Sequence, residues 1–333
     1  MPHTPIPRRP TGIPAAPLIM VSGLAKSGKS MVSYKLGLSP SINHCWVVDL
    51  GEGSADEYGG LDCYTVLDWG RSWVDLQDTV KWCVGQPCPT GKMNALVIDS
   101  GTELWDGLKS RADKRARSSK KNRAALEADP DFEVDVSMPF WNDAKETWAR
   151  VVSPMKLAGN LIGVVLVRSE SVAEVVNGAP TNRRVTSYQC EKTLPGIVTA
   201  HVEVRPDHSA HLVDVRSLAV SVDRRGLALD AANPLGHLID LLSPSMTFQA
   251  SAATTPIDDQ RDEPEARTFS AEAVALFDAI KAASAEQKAA LRALAEAEHR
   301  KLTVAALDGD EMWRALVAAN LTGEVVPEGA LIA

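Results

Sequence analysis

Residues 21–30, VSGLAKSGKS, constrain this chain more than any other stretch. They follow an apolar run at residues 16–20 and lead into SMVSYKLGL, which reads as a helix. Reduced to spacing, the stretch is Gly23, four residues, then Gly28, Lys29 and Ser30. A strand, a glycine-bounded loop and a helix in that order make an anion nest. The glycines let the backbone approach phosphate and take positive φ, and successive N–H groups then point inward at a helix N-terminus. In such a loop Lys29 reaches the β and γ phosphates, and the Ser30 hydroxyl ligates Mg²⁺. The expected ATP-binding residues are Gly23, Leu24, Ala25, Lys26, Ser27, Gly28, Lys29, Ser30 and Met31, with ATP and Mg²⁺ as ligands. The loop binds phosphate without deciding its fate, since transfer and hydrolysis both use it.

A nest of this kind needs a sheet behind it. Across residues 17–242 short apolar runs alternate with amphipathic segments, which implies an α/β core with a mostly parallel sheet flanked by helices. HCWVVDL, NALVIDS and NLIGVVLVR read as buried strands, and CYTVLDW as a further one. SWVDLQDTVKWCVGQ has helical period, with Trp73, Leu76, Val80 and Val84 on one face. WNDAKETWARVVSPMKLAG is a second helix. TAHVEVRP and AHLVDVR are adjacent strands expected to pair as a hairpin around residues 207–209. Composition then shifts. Residues 243–269 are rich in Ser, Thr, Pro and charge and read as a linker. Residues 270–323 are rich in Ala, Leu and Glu and read as a small helical module, with Ser284 and Gln287 at capping-box spacing. Residues 1–16 form a proline-rich flexible arm without the apolar core of an export signal, and 324–333 a tail.

The net charge of −8 argues against a surface devoted to nucleic acid, while leaving room for a local basic patch. The longest apolar runs, such as residues 161–167, are strand-sized and far short of a membrane span, so the expected location is cytoplasmic (the host cytoplasm if phage-encoded). Cys83 and Cys88 form a lone C-x4-C without a second pair, which falls short of a tetrahedral zinc site and points to reduced thiols.

A magnesium-bound phosphate calls for an acid at the end of a neighbouring strand, and ALVIDS supplies Asp99, acting through water. Hydrolysis also needs a base to orient the attacking water. VVDLGEGSADEY offers Glu52 just past the second strand, with Glu57 and Asp49 as alternatives. Lys29, Glu52 and Asp99 form the expected catalytic set, and Ser30 and Asp99 the metal set.

The order of these parts, GLAKSGKS, VVDLGEG, ALVIDS, IGVVLVRSE, EKTLPGIVTAHVEVRP and HLVDVRS, resembles the RecA-like P-loop ATPases over residues 17–220. More specifically the chain is similar to the compact phage RecA-like ATPases (AAA-domain type) of the single-strand annealing and recombination group. The resemblance implies a RecA-like core, ATP hydrolysis with Mg²⁺, and a ring or filament of identical subunits on single-stranded DNA. It places Glu52 at the catalytic glutamate that follows the second strand, one residue further from Asp49 than in bacterial RecA. Arg168 and Ser169 stand where RecA has a phosphate-sensing glutamine. Lys192 falls where basic residues of such filaments reach the next subunit's nucleotide.

The resemblance also implies two DNA-holding loops. The first, residues 105–140, carries Lys109, Arg111, Lys114, Arg115, Arg117, Lys120, Lys121 and Arg123, with Trp105, Phe132, Phe140 and Trp141 alongside. Such a run suits phosphate contact and strongly salt-dependent binding, or else a solvated helix with the tryptophans in the core. The second, residues 169–189, carries Arg183, Arg184 and Tyr188, and reads equally as an exposed hairpin. Three functions compete. The first is a DNA-stimulated ATPase for recombination or annealing. The second is a nucleotide-gated helicase loader or replication adaptor whose C-terminal helices hold a helicase or single-strand-binding protein. The third is a small-molecule kinase with residues 109–123 as its lid.

Overall fold

The computed structural model describes residues 9–129, 131–176, 179–243, 247–248 and 269–322. They fall into two compact units, one within residues 1–256 and one within 257–333. Most of the expected linker, the first half of the N-terminal arm and the whole expected tail lie outside the described residues.

The first unit runs β1 (Leu18–Gly23), α1 (Lys29–Tyr34), β2 (Ile42–Asp49), α2 (Ser54–Glu57), β3 (Thr65–Val66), α3 (Trp73–Gly85) and β4 (Met93–Asp99). It continues with α4 (Gly101–Arg117), α5 (Lys120–Ala128), α6 (Met138–Leu157), β5 (Leu161–Val176), β6 (Ala179–Tyr188) and α7 (Leu194–Ile197). It closes with β7 (Ala200–Val204), β8 (Ala210–Val215), β9 (Leu227–Ala228) and α8 (Pro234–Leu242). The strand order is β3-β2-β4-β5-β1-β7-β8-β9. The pairs from β3 to β7 are parallel; β8 and β9 add antiparallel edges. This is the α/β architecture with a mostly parallel sheet flanked by helices.

Alternation along the strands feeds two cores. Ile19, Val21, Val47, Val97 and Val164 face the side packed by α1 and α8. Leu18, Met20, Val48, Ile98 and Val165 face the side packed by α3, α4 and α6. β1, β4 and residues 161–167 of β5 are buried on both faces, which is why the sequence shows continuous apolar runs there rather than simple alternation. α3 packs through Leu76, Val80 and Cys83, and Ser72 caps it by accepting the Asp75 N–H. Registers Gly23↔Arg168 and Asp49↔Asp99 bring the C-terminal ends of β1, β2 and β4 and the end of the parallel part of β5 to one edge. In a parallel sheet that edge is where ligands bind.

In two segments the structure takes one of the two forms the sequence left open. Residues 105–140 are largely helical rather than a loop: α4 and α5 carry the whole basic run, divided at Ser118 and Ser119. Leu104, Leu108, Ala112 and Ala116 recur every four residues and are buried, so α4 has an apolar stripe beneath its cations. Residues 169–189 are a two-stranded ribbon, the outer half of β5 paired antiparallel with β6 from Ser169↔Tyr188 onward. The turn expected at its tip includes residues 177–178, outside those described.

The second unit contains α9 (Ala271–Ala282), α10 (Ala285–Ala297), α11 (Val304–Asp308) and α12 (Glu311–Thr322). Ser284 and Gln287 form the reciprocal capping box that opens α10. Its core gathers Leu291, Leu307, Trp313 and Val317, with the Trp313 indole donating to the Lys301 carbonyl at 3.1 Å.

Candidate active site

The loop between β1 and α1 takes the form its glycines require. Gly28 has φ +94°, and a Cβ there would come within 3.3 Å of His208 Nδ1. A Cβ on Gly23 would come within 2.4 Å of the Val204 carbonyl oxygen. Strand β7 therefore fixes the start of the loop as tightly as the loop's own turn does. Lys26 is exposed with φ +61°. Lys29 Nζ donates to the Leu24 carbonyl at 2.8 Å, folding the ammonium over the loop that would carry the phosphates. Burial pulls the Lys29 pKa down, the charges of Glu52 and Asp99 push it up, and Arg168 adds to the lowering.

Asp99 ends β4 and is 2% exposed. Its Oδ2 accepts from the Tyr34 hydroxyl at 2.6 Å and from Ser54 Oγ at 3.0 Å. Burial raises the Asp99 pKa; hydrogen bonds from Tyr34, Ser30 and Ser54 pull the other way. Burial and then the Asp99 charge push the Tyr34 phenol far above its ordinary range. A cation beside the Asp99 carboxylate would offset the desolvation that raises its pKa. With the Ser30 hydroxyl within reach of the same carboxylate, the oxygen donor set fits a hard divalent cation such as Mg²⁺.

Glu52 and Asp49 have separate tasks. Asp49 Oδ1 accepts the backbone N–H groups of Gly51, Glu52 and Gly53 at 2.9, 2.8 and 3.2 Å, and Oδ2 accepts that of Ala55 at 3.2 Å. Its carboxylate is committed to shaping the loop. Glu52 Oε1 accepts from Ser100 Oγ at 3.0 Å and from Arg168 Nη2 at 2.6 Å. Glu52 Oε2 has no hydrogen-bond partner among the described residues.

These groups line a cleft of about 1180 Å³. Lys29, Ser30, Glu52, Asp99, Ser100 and Arg168 stand on its wall, and Glu57 also borders it. The β7–β8 hairpin, expected around residues 207–209, brings Asp207, His208 and Ser209 to the same cleft. The His208 Nδ1–H donates to the Ser27 carbonyl at 3.0 Å, pinning the loop from outside. Sequence reasoning missed His208, Tyr34 and Ser54. Tyr34 was within reach, being four residues after Ser30 and so on the same face of α1. His208 arrives through a pairing about 180 residues away along the chain and leaves no local signal.

The remaining candidates lie elsewhere. None of the basic run from Lys109 to Arg123 borders the cleft, and neither do Ser169 or Lys192. Lys109 pairs with Asp106, Arg111 and Arg115 with Asp143, Arg117 with Asp113, and Arg123 with Glu127. Lys114, Lys120 and Lys121 are exposed and make no ion pair among the described residues. Trp105 meets buried Trp148 edge-on at 5.9 Å, and Phe140 lies beneath the Arg115 guanidinium at 5.6 Å. Phe132 remains 40% exposed. On the ribbon, Arg184 donates to the Ser171 carbonyl at 2.6 Å and Arg183 pairs with Glu174 at 3.5 Å. No helix among the described residues is long and apolar enough to cross a membrane.

No protein-family model and no curated protein matches the chain. Among solved structures it is similar to an ATPase from the type III secretion system of pathogenic bacteria, at 14% identity and TM-score 0.32, over 56% of this chain and 50% of that one. It is also similar to the RadB recombinase, at 14% identity and TM-score 0.31, over 62% of this chain and 84% of that one. The chain thus spans about half the length of the secretion ATPase. Both are loose overall matches, so the chemistry rests on this chain's own side chains.

Proposed function

We propose that the chain is a Mg²⁺-dependent ATPase of the RecA-like kind that works on single-stranded DNA. The observation that carries this reading is convergence. Lys29 and Ser30 from α1, Glu52 from the loop after β2 and Asp99 from the end of β4 meet in one cleft at the carboxyl edge of a parallel sheet. The loop N–H groups cradle the phosphates, and Lys29 leaves the Leu24 carbonyl for them. Ser30 directly and Asp99 through water would hold Mg²⁺, which would supply positive charge against the phosphate oxygens. Glu52 takes a proton from the attacking water through its free oxygen; the water oxygen bonds the γ phosphorus as its bond to the bridging oxygen breaks, releasing ADP.

The DNA part rests on charge. In a chain of net charge −8, Lys114, Lys120 and Lys121 are exposed and without ion pairs among the described residues, on the helices that follow Asp99. Arg183 and Arg184 add cations on the ribbon that continues β5. Within this reading the chain supports recombination or annealing as a ring or filament of copies. The C-terminal helical unit, with its own core, favours a second reading as a helicase loader or replication adaptor. A kinase lid made of residues 109–123 has no support, because none of them borders the cleft.

The test is the rate of ATP hydrolysis with and without single-stranded oligonucleotides. Stimulation of severalfold is expected. Slow turnover indifferent to DNA would replace the first reading with the loader, and phosphate transfer to a small acceptor would replace both.

A further inference from the structure

Tyr34 is fully buried and spends its one polar side-chain atom on the acid of the candidate metal site. Its hydroxyl donates to Asp99 Oδ2 at 2.6 Å. Ser54 Oγ donates to the same oxygen at 3.0 Å and lies 3.1 Å from the Tyr34 hydroxyl. Resting on the phosphate-site reading, we propose that Tyr34 and Ser54 are positioning residues for the divalent cation. They hold the Asp99 carboxylate by Oδ2, leave Oδ1 for the cation's water, and tie that acid to the loop that carries Glu52.

Three observations support the role. The first is convergence. Two hydroxyls from separate elements, Tyr34 on α1 and Ser54 on α2, meet on one oxygen of a carboxylate that is 2% exposed. A carboxylate oxygen has about two acceptor sites, so Oδ2 is filled and Oδ1 is the oxygen left over.

The second is that the phenol is locked. Its ring packs on Tyr64 with centroids 4.6 Å apart and meets Tyr58 edge-on at 6.1 Å. Tyr64 is held in turn, its hydroxyl donating to the Ala55 carbonyl at 2.6 Å. A group that orients a metal-holding carboxylate works only when its own rotamer is fixed by packing. Phenylalanine would fill the same place among these rings, so packing alone gives no reason for a hydroxyl at residue 34.

The third is where Ser54 lies. Asp49 accepts the backbone N–H groups of residues 51–53 and of Ala55. Ser54 stands between them and reaches Asp99 with its side chain. The Glu52 loop is thus pinned at two carboxylates, one at the end of β2 and one at the end of β4. Tyr34 extends that tie to α1, the helix that begins at Lys29. The hydroxyl pair therefore joins three of the elements that build the cleft.

The test measures binding of a non-hydrolysable ATP analogue to the full chain by calorimetry, once with Mg²⁺ and once with EDTA. The ratio of the two affinities reads the cation's contribution apart from the phosphate loop's. Tyr34→Phe removes only the hydroxyl. It is expected to lower the ratio by about tenfold, the low end of what losing a ligand's hydrogen-bond partner costs. The affinity in EDTA should move by less than about twofold. An unchanged ratio in folded Tyr34→Phe would overturn the proposal, leaving the phenol as a satisfied core group. Equal weakening in both arms would overturn it as well, because the hydroxyl would then shape the pocket rather than serve the cation. Should Tyr34→Phe fail to fold, Ser54→Ala removes the other donor to Oδ2 and is expected to lower the ratio in the same direction; an unchanged ratio there overturns the proposal equally. A wild-type ratio of one would bring down the metal part of the phosphate-site reading itself, and the positioning role with it.

Discussion

Asp49 tests whether Glu52 works because of where its loop is held. Four backbone N–H groups converge on this one carboxylate at 2.8–3.2 Å, three on Oδ1 and one on Oδ2. Asp49→Ala leaves all four without that acceptor. Hydrogen bonds to a charged group contribute about 1.5–3 kcal/mol each when buried, but these donors are exposed or half-buried and water replaces much of the loss. About 0.5–1 kcal/mol each is the reasonable share, or about 3 kcal/mol together. For a unit of this size that lowers Tm by roughly 6–12 °C. Asp49→Asn keeps the Oδ1 acceptor and its three bonds, and turns an amide N–H toward the Ala55 N–H, costing about 1–2 kcal/mol. The functional effect separates from the stability effect. A base displaced by about 1 Å loses up to roughly a hundredfold in rate, so Asp49→Ala should lower kcat at least tenfold below its melting range. ADP affinity, set by the loop between β1 and α1, should hold. Steady-state ATPase assays with a parallel ADP titration read both quantities. Wild-type kcat in a folded Asp49→Ala chain would refute the reasoning, because Glu52 would then either not be the base or not depend on its loop.

Two further outcomes follow from the same geometry. Replacing Lys114, Lys120 and Lys121 together by Gln should weaken single-stranded DNA binding and reduce the slope of log affinity against log salt by about 2, near 0.7 per lost phosphate contact; unchanged anisotropy titrations would remove α4 and α5 from the DNA surface. His201, buried beside β1 with its Nε2 2.7 Å from Ser22 Oγ, has its pKa pulled down to about 4 by burial, against the charges of Glu203 and Asp214. Because the folded pKa lies below the unfolded value of about 6.5, the neutral ring's contribution is whole above pH 6.5 and is lost as pH falls to about 4, about 3 kcal/mol in all. Chemical denaturation at stepped pH should show that loss in the wild type and a flatter profile in His201→Gln; equal slopes would contradict it.

What the sequence revealed follows from how local each feature is. The loop between β1 and α1 needs only eight consecutive residues and a strand before it, so its place was legible. That Asp99 closes a strand was legible because a continuous apolar run ends abruptly in an acid. The basic stretch misled for a physical reason: Leu104, Leu108, Ala112 and Ala116 mark a helix, but the cations between them lower the average hydropathy until the stripe disappears. The ribbon was open between loop and hairpin for the opposite reason. Few of its side chains are buried, so its strands lack the apolar face that normally betrays them. Asp49 as an architect of its loop and His208 as a clamp on Ser27 depend on backbone geometry and on a distant hairpin. Neither has a pattern of its own in the chain.

The claim on which everything else depends is that Lys29 serves a bound phosphate. In the structure its half-buried ammonium is satisfied by one loop carbonyl, Leu24, so Lys29→Ala should leave the fold intact and lower Tm little. Measured beside the wild type with Mg·ATP, Lys29→Ala should show no turnover above background. Turnover equal to the wild type in a folded Lys29→Ala chain would contradict the account at its base.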